Sequence, residues 1–174
     1  MKFTIRAATE KDIPVVLAFI RDLAEYERLP HEVEATEAIL RESLFGSRPG
    51  AEVIFGCAES KPVAFAVFFH SFSTFLGRRG LYLEDLYVKP AFRRHGIARS
   101  LILHLARVAK ERNCGRLEWV VLNWNKPAIR FYERLGAVGL NEWTIYRVTG
   151  NSLNQLAEGI SAGAPVSKGT AHGP

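Results

Sequence analysis

The chain has 174 residues, of which 48% are hydrophobic and 24% are charged, and its formal net charge is +5. This length and apolar share suit one folded domain and exclude a disordered chain. No apolar run approaches the roughly 20 residues that span a bilayer, and charges close to Met1 are atypical of a signal peptide. We therefore expect a soluble cytoplasmic protein that makes no membrane contact.

The basic charge and the cysteines restrict the partners of the chain. A net positive charge favours an anionic partner such as nucleic acid, a membrane surface or a phosphorylated cofactor, or it reflects a basic solvated surface and nothing more. Cys57 and Cys114 are far apart and fit no metal spacing, so we interpret them as small core residues. The histidines form no metal pattern either, and we expect no metal.

The first half of the chain predicts strands and helices from its apolar spacing. Phe3, Ile5 and Ala7 alternate as in a strand at 2–8. Thr9 then provides a hydroxyl cap, and the acidic Asp12 follows three residues later, which is typical of a helix start. The elements predicted after it are a helix to about residue 26, a second helix from 36, strands at 51–58 and 63–72 joined by a hairpin turn at 59–62, and a strand at 81–88.

The second half begins with a basic loop at 93–98 and a helix at 97–112, which Gly115 is suited to end in a left-handed conformation. The elements predicted after it are a strand at 117–122, a helix at 125–135 capped by Asn125, two strands within 137–149 and a disordered tail at 159–174. Antiparallel hairpins followed by a β-α-β crossover predict an α/β fold with a mixed, mostly antiparallel sheet and helices on both faces. We expect residues 1–158 to form one domain.

The loop at 93–98 is a candidate anion site. Gly96 allows the backbone to approach a ligand closely, and the first turn of the following helix offers free N–H groups at the positive end of its dipole. Arg93, Arg94 and Arg99 add positive charge at the same end, which suits a diphosphate. The glycine pattern matches neither a Walker loop nor a dinucleotide fingerprint. A basic loop that only caps a helix remains the alternative.

The strand before this loop changes phase. Its apolar residues keep one phase at Leu81 and Leu83 and the other at Leu86 and Val88. A slip of one residue in a period of two is what a β-bulge produces, and a bulge would splay this strand from its neighbour. Two acids, Glu84 and Asp85, lie at the slip. In the alternative, the strand is buried on both faces and the acids make structural hydrogen bonds.

Two segments in this order resemble the GNAT acetyltransferase superfamily. Residues 93–98 (RRHGIA) are similar to its signature Arg/Gln-x-x-Gly-x-Gly/Ala, and residues 123–137 (NWNKPAIRFYERLGA) are similar to its segment Asn-x-x-Ala-x-x-x-Tyr-x-x-x-Gly-Phe/Ala. The likeness covers about residues 3–157 and implies a sheet whose central strand pair is splayed.

Within that superfamily the chain resembles the diamine (spermidine/spermine) and thialysine N-acetyltransferases. The segments that carry this resemblance are 5–9, 23–27, 82–88 and 124–125. Arg94-His95 replaces the usual Gly-aromatic pair of that group, and Ala98 replaces its second glycine. Because backbone N–H groups bind the diphosphate, neither change should abolish binding.

The resemblance implies that acetyl-CoA is the co-substrate. Its pantetheine arm would pair with the backbone of Leu86 and Val88, and the Leu86 N–H would polarise the thioester carbonyl. The residues expected to contact acetyl-CoA are Leu86, Tyr87, Val88, Arg93, Arg94, His95, Gly96, Ile97, Ala98, Arg99, Asn125, Lys126, Pro127 and Ala128.

The resemblance also implies the catalytic and amine-binding residues. Tyr132 would hydrogen-bond or protonate the departing thiolate. Glu84 would accept a proton from the amine through water, although with Asp85 it could instead only hold the ammonium. Tyr26 and Glu27 match substrate-contacting positions, in an acidic region that would attract a cation to a basic chain.

Four functions compete at this point. The first is acetylation of a small cationic amine such as a polyamine, thialysine or an amino-acid-like amine, by a homodimer as in many members of the group. The second is acetylation of a peptide or protein amine, and the third is a non-catalytic acyl-CoA sensor. The fourth is nucleic-acid binding, which the sequence supports least, because the arginines cluster at one helix start without a stripe of aromatic and basic residues.

Overall fold

The strands of the chain pair in sequence order. In the computed structural model, which describes residues 2–160, β1 (Phe3–Ala7), β2 (Glu52–Ala58), β3 (Lys61–Ser73), β4 (Arg78–Val88) and β5 (Leu117–Glu118) form one sheet. The first four strands are antiparallel and β5 runs parallel to β4. The predicted mixed, mostly antiparallel sheet is confirmed.

Five α-helices accompany the sheet in the described residues: α1 (Ile13–Glu27), α2 (Glu37–Phe45), α3 (Ile97–Glu111), α4 (Lys126–Glu133) and α5 (Gly150–Ala157). The chain divides into two compact units, one ending at Leu122 and one beginning at Asn123. The sheet and α1–α3 belong to the first unit, and α4 and α5 to the second, so each unit is described by itself. None of the helices in residues 2–160 has the length and apolar character needed to cross a membrane.

The predicted caps and turns form for local reasons. The Asp12 carboxylate accepts from the Thr9 N–H at 2.8 Å and from the terminal guanidinium nitrogens Nη1 and Nη2 of Arg6, each at 2.8 Å, in front of α1. Thr36 caps α2 through a hydrogen bond to the Ile39 N–H at 3.2 Å. Glu59 and Ser60 both have positive φ angles, 48° and 66°, as the two central residues of a type I′ hairpin turn require.

Helices cover both faces of the sheet in the first unit, as predicted. On one face, α1 and α2 pack in a core cluster with Phe55, Phe65 and Tyr87 of the strands. On the other face, a Cβ on Gly56 would lie 2.8 Å from Ile97 Cγ2 and near Leu101, so α3 approaches β2 where this strand has no side chain. We call these the α1 face and the α3 face.

Three sequence predictions differ from the structure. The predicted strand at 117–122 is paired only at Leu117–Glu118, and residues 137–149 form no strand while α5 follows them. Alternation is not sufficient for a strand, because a strand also needs a partner for its backbone groups. After α3 the left-handed residue is Asn113, with φ 55°, and not Gly115; asparagine tolerates this conformation better than most residues do.

The predicted tail at 159–174 lies outside the described residues except for its first two. Gly159 follows α5 with a φ of 72°, which is the left-handed conformation that glycine adopts easily. That residues 1–158 form one domain stays a prediction.

Candidate active site

The predicted β-bulge is present in β4 at Glu84. Val67 of β3 pairs with Asp85, and the next residue, Phe68, pairs with Leu83, so Glu84 is the extra residue. Every second residue of β3 points to the same face of the sheet, and residues paired across two strands share a face. The β4 residues that pair with one such set of β3 residues therefore lie on one face. The pairs are His70 with Leu81, Phe68 with Leu83, Ala66 with Leu86 and Ala64 with Val88. The bulge therefore places the apolar residues before Glu84 and those after it on the same face of the sheet, the α3 face.

The bulge also determines which acid points inward. Asp85 lies opposite Val67, a member of the α1-face core, and is half-buried, whereas Glu84 is exposed. Burial raises the pKa of Asp85 to about 7, and the nearby carboxylates of Glu84 and Glu27 add to this rise. Burial also raises the pKa of Glu27 at the end of α1. We call Glu27, Glu84 and Asp85 the acidic cluster.

The edge of β4 opens beside the acidic cluster. β5 pairs with β4 only at Leu81 and Tyr82, so in the described residues no strand pairs with this edge of β4 after Tyr82, which is where the predicted splay would lie. The β4–β5 pair is the outermost one of the described sheet. Backbone N–H groups alternate in direction along a strand. Because the Lys89 N–H donates to Val63 of β3 at 2.9 Å, those of Leu86 and Val88 point to the open edge.

The basic loop enters α3 with a glycine. Gly96 caps α3 in the left-handed conformation, with φ 81°, and an added Cβ would meet nothing within 4 Å. Arg94 is also left-handed, with φ 65°. The loop residues that are exposed are Arg94, His95, Gly96 and Arg99, while Ile97 is buried and Ala98 half-buried. Free N–H groups of the first helical turn and two exposed arginines thus lie at one end of α3.

Arg93 differs from the other arginines of this loop. Its Nε donates to the Val88 carbonyl at 3.0 Å. Its guanidinium lies 4.7 Å from the centre of the Tyr26 ring and 5.5 Å from that of Tyr87. Arg93 is half-buried and faces α1 and β4.

In the second unit, α4 carries the remaining candidate residues. The Asn125 side chain accepts from the Ala128 N–H at 3.3 Å, so the predicted cap is confirmed. Lys126 and Pro127 occupy the first turn and are exposed, and Ala128 is half-buried. The half-buried Tyr132 packs its ring against Phe131 with centroids 5.1 Å apart. Gly136, with φ 87°, follows the helix.

Comparison with known proteins identifies the family. Residues 17–137 match the Acetyltransferase (GNAT) family. The chain belongs to this family. It is 39% identical to a thialysine N-epsilon-acetyltransferase of Bos taurus over 88% of this chain and 96% of that protein. It is 30% identical to the L-ornithine N5-acetyltransferase NATA1 of Arabidopsis thaliana, over 87% of this chain and 86% of that protein.

Solved structures share the GNAT fold. The integron cassette protein VCH_CASS6 from the mobile metagenome of V. cholerae superposes with a TM-score of 0.77 at 29% identity, over 91% of this chain and 99% of that one. An aminoglycoside acetyltransferase from an uncultured soil metagenomic sample gives 0.71 at 17% identity, over 84% and 95%. The family match and the curated relatives make this GNAT chain an N-acetyltransferase.

The sequence did not show how the candidate residues of this GNAT site divide between surface and interior. It grouped Glu84 with Asp85, and Arg93 with Arg94, whereas the structure places the second acid and the first arginine inward. For the acids the signal was available, because the residue after a bulge returns to the alternation of the strand. For Arg93 no sequence signal exists, since its contacts come from α1 and β4.

Proposed function

We propose that this GNAT enzyme transfers an acetyl group from acetyl-CoA to a primary amine of a small cationic substrate: a polyamine, thialysine or an amino-acid-like amine. The observation that carries the substrate class is the acidic cluster, which gathers three carboxyl groups beside the open edge of β4 on a chain of net charge +5. A cation needs such a local field to approach a basic protein. The named activities of the thialysine and ornithine relatives agree with this class.

The first unit has the groups that acetyl-CoA requires. The N–H groups of Leu86 and Val88 are directed to the edge of β4 and suit the amide-bearing pantetheine arm, which would add to the sheet as a strand does. The start of α3 with Gly96, Arg94 and Arg99 suits the diphosphate. When bound, acetyl-CoA supplies an acetyl group activated as a thioester.

The enzyme must remove a proton from the amine, since a primary amine is almost entirely protonated at neutral pH. Glu84 is our candidate base, because it is exposed at the bulge and accessible to water that would relay the proton. Asp85 and Glu27 would then hold the ammonium before the transfer. The raised pKa of Asp85, about 7, also suits this carboxyl to accept a proton near neutral pH.

Tyr132 is our candidate for the group that protonates the departing thiolate. Its support is the family segment at 123–137 and the chemistry of a phenol, which donates a hydrogen bond to sulfur. We expect Tyr132→Phe to lower kcat by about 100-fold, a typical loss for one general acid, while binding of acetyl-CoA changes little. Tyr146→Phe removes the hydroxyl of an exposed tyrosine of the same unit while it keeps the apolar ring, and is the matched control.

The experiment is a CoA-release assay with spermidine, thialysine, ornithine and N-terminal peptides as acceptors. Turnover of the free amines, absent or much slower with peptides, would support the proposal. Equal rates on peptides would assign the enzyme to peptide acetylation instead. Tight acetyl-CoA binding without turnover of any acceptor would indicate a sensor.

We further propose that the enzyme works as a cytoplasmic homodimer. The second unit exposes several large apolar side chains, as expected of a surface that a second copy covers. They are Val138, Leu140, Trp143, Ile145, Tyr146, Leu153 and Leu156.

A further inference from the structure

Arg93 connects three elements of the first unit. It follows the 3-10 helix Pro90–Phe92, which begins one residue after β4, and its Nε donates to the last carbonyl of β4, at Val88. Its guanidinium covers the ring of Tyr26, the residue before the last one of α1. The loop that enters α3 is thereby joined to the end of α1.

The two tyrosines form the other side of this arrangement. The rings of Tyr26 and Tyr87 meet edge to face at 6.4 Å, and the Tyr87 ring meets Phe19 of the core at 6.3 Å. Tyr87 is buried, so its ring is a rigid surface against which Arg93 and Tyr26 pack. Stacking of a guanidinium on two rings requires its planar shape as well as its charge.

These contacts hold the Arg93 side chain against β4 and α1. A guanidinium that serves a carbonyl and two aromatic rings is oriented toward α1, whereas Arg94 and Arg99 of the same loop are exposed. Glu27, the residue after Tyr26, belongs to the acidic cluster, because its charge acts on Asp85. Tyr26 and Glu27 share the last turn of α1, so contacts that hold this turn also hold the backbone that carries Glu27.

We propose that Arg93 is a positioning residue of the amine site, which holds Tyr26 against Tyr87 and so fixes the end of α1 that carries Glu27. This inference rests on the proposed amine acetylation. It assigns Arg93 to the amine and leaves the diphosphate to Arg94, Arg99 and the backbone of the α3 start.

The kinetic test measures KM for acetyl-CoA and for the acetylated amine in four variants. Arg93→Ala should raise the KM of the amine about tenfold, comparable with the loss of a partly desolvated cation–π contact, and change that of acetyl-CoA less than about twofold. Arg93→Lys should resemble Arg93→Ala, since an ammonium lacks the planar stack. Arg94→Ala should instead raise the KM of acetyl-CoA. Arg107→Ala removes an exposed arginine of α3 and should change neither constant.

A second measurement does not depend on activity. The N–H groups of Arg28 and Leu29 close the end of α1 by bonding to Glu25 and Ala24 at 3.1 and 2.8 Å. Their hydrogen exchange should accelerate about tenfold in Arg93→Ala and stay unchanged in Arg107→Ala, because local opening at a helix end depends on the contacts that hold it.

The outcomes distinguish this inference from the proposed function. A rise confined to the KM of acetyl-CoA, full rescue by Arg93→Lys, or unchanged exchange at Arg28 and Leu29 would each overturn the positioning role. Loss of kcat alone together with a lower Tm would reduce Arg93 to a stabilising residue and also overturn it. If the wild-type enzyme acetylates no amine, the proposed function fails, and the exchange experiment still decides whether Arg93 holds the end of α1.

Discussion

Asp85 is the carboxyl group of the site whose ionisation is most affected by the fold. It is half-buried on the α1 face, and Glu84 and Glu27 place negative charge nearby. The pKa of about 7 means that the carboxyl is partly protonated at neutral pH. A cationic amine at this position would favour the ionised form, so binding of the amine should release a proton from Asp85.

The raised pKa of Asp85 makes stability depend on pH. Between the ordinary pKa of an unfolded aspartate and about 7, the native state binds more protons than the unfolded state, so stability falls as pH rises through this range. Asp85→Asn removes the buried charge. We expect this variant to exceed wild type at pH 8 by on the order of 2 kcal/mol, with the difference vanishing below about pH 4.

Calorimetric Tm values of wild type and Asp85→Asn across this pH range check the prediction. The control is Glu142→Gln, which neutralises an exposed acid and should follow wild type. A constant difference between Asp85→Asn and wild type at all pH values would show that the ionisation of Asp85 is not its cause.

At the scale of elements, the bulge in β4 controls both the core and the site. Glu84 as an extra residue places Leu81 and Leu83 on the same face as Leu86 and Val88, and it directs Asp85 to the other face. The apolar side chains on the α3 face include the fully buried Leu81 and the nearly buried Leu83. Without the bulge, one half of the strand would have to present its side chains to the wrong face.

Deletion of Glu84 should therefore be far more harmful than substitution of its side chain. The deletion variant must either turn Leu81 and Leu83 away from the α3 face or lose the pairing of β4 with β3. Loss of the burial of two leucines should lower the free energy of unfolding by several kcal/mol. Glu84→Ala keeps the backbone count and should retain the fold. Tm and near-UV circular dichroism of the two variants measure the contrast. Equal stability of both variants would contradict a structural role for the bulge.

For the whole molecule, the distribution of apolar surface sets the expected assembly. The buried hydrophobic residues of the described chain, Phe55, Phe65 and Leu101 among them, all belong to the first unit, although this unit also exposes Phe72 and Phe75. The second unit has none of them and exposes Trp143 at 74% and Tyr146 at 91%. On this ground we expect a second copy to cover the apolar side chains of the second unit, as the proposed homodimer requires.

Light scattering coupled to size-exclusion chromatography tests the homodimer. We expect twice the 19.5 kDa of one chain at micromolar concentration. Trp143→Glu and Ile145→Glu should shift the mass toward one chain, because they place a charge in the proposed interface. Arg107→Ala serves as the control on a helix outside that surface. A wild-type mass of one chain would reject the dimer.

The sequence by itself determined most local structure. The hairpin at 59–62, the caps at Thr36 and Asn125 and the phase change in β4 depend on neighbouring residues, and all are present in the structure. Turn chemistry and apolar periodicity depend on residues that are close together in the sequence, so they can be predicted from the sequence of one segment. The two family segments likewise indicated GNAT membership, which the comparison confirmed.

Only the tertiary structure decided which of the candidate side chains point inward. Arg93 contacts Tyr26 of α1 and Val88 of β4, and Glu27 acts on Asp85 from a different element. It also decided that residues 137–149 form no strand. Such features depend on partners distant in sequence, which the spacing of residues along one segment does not contain.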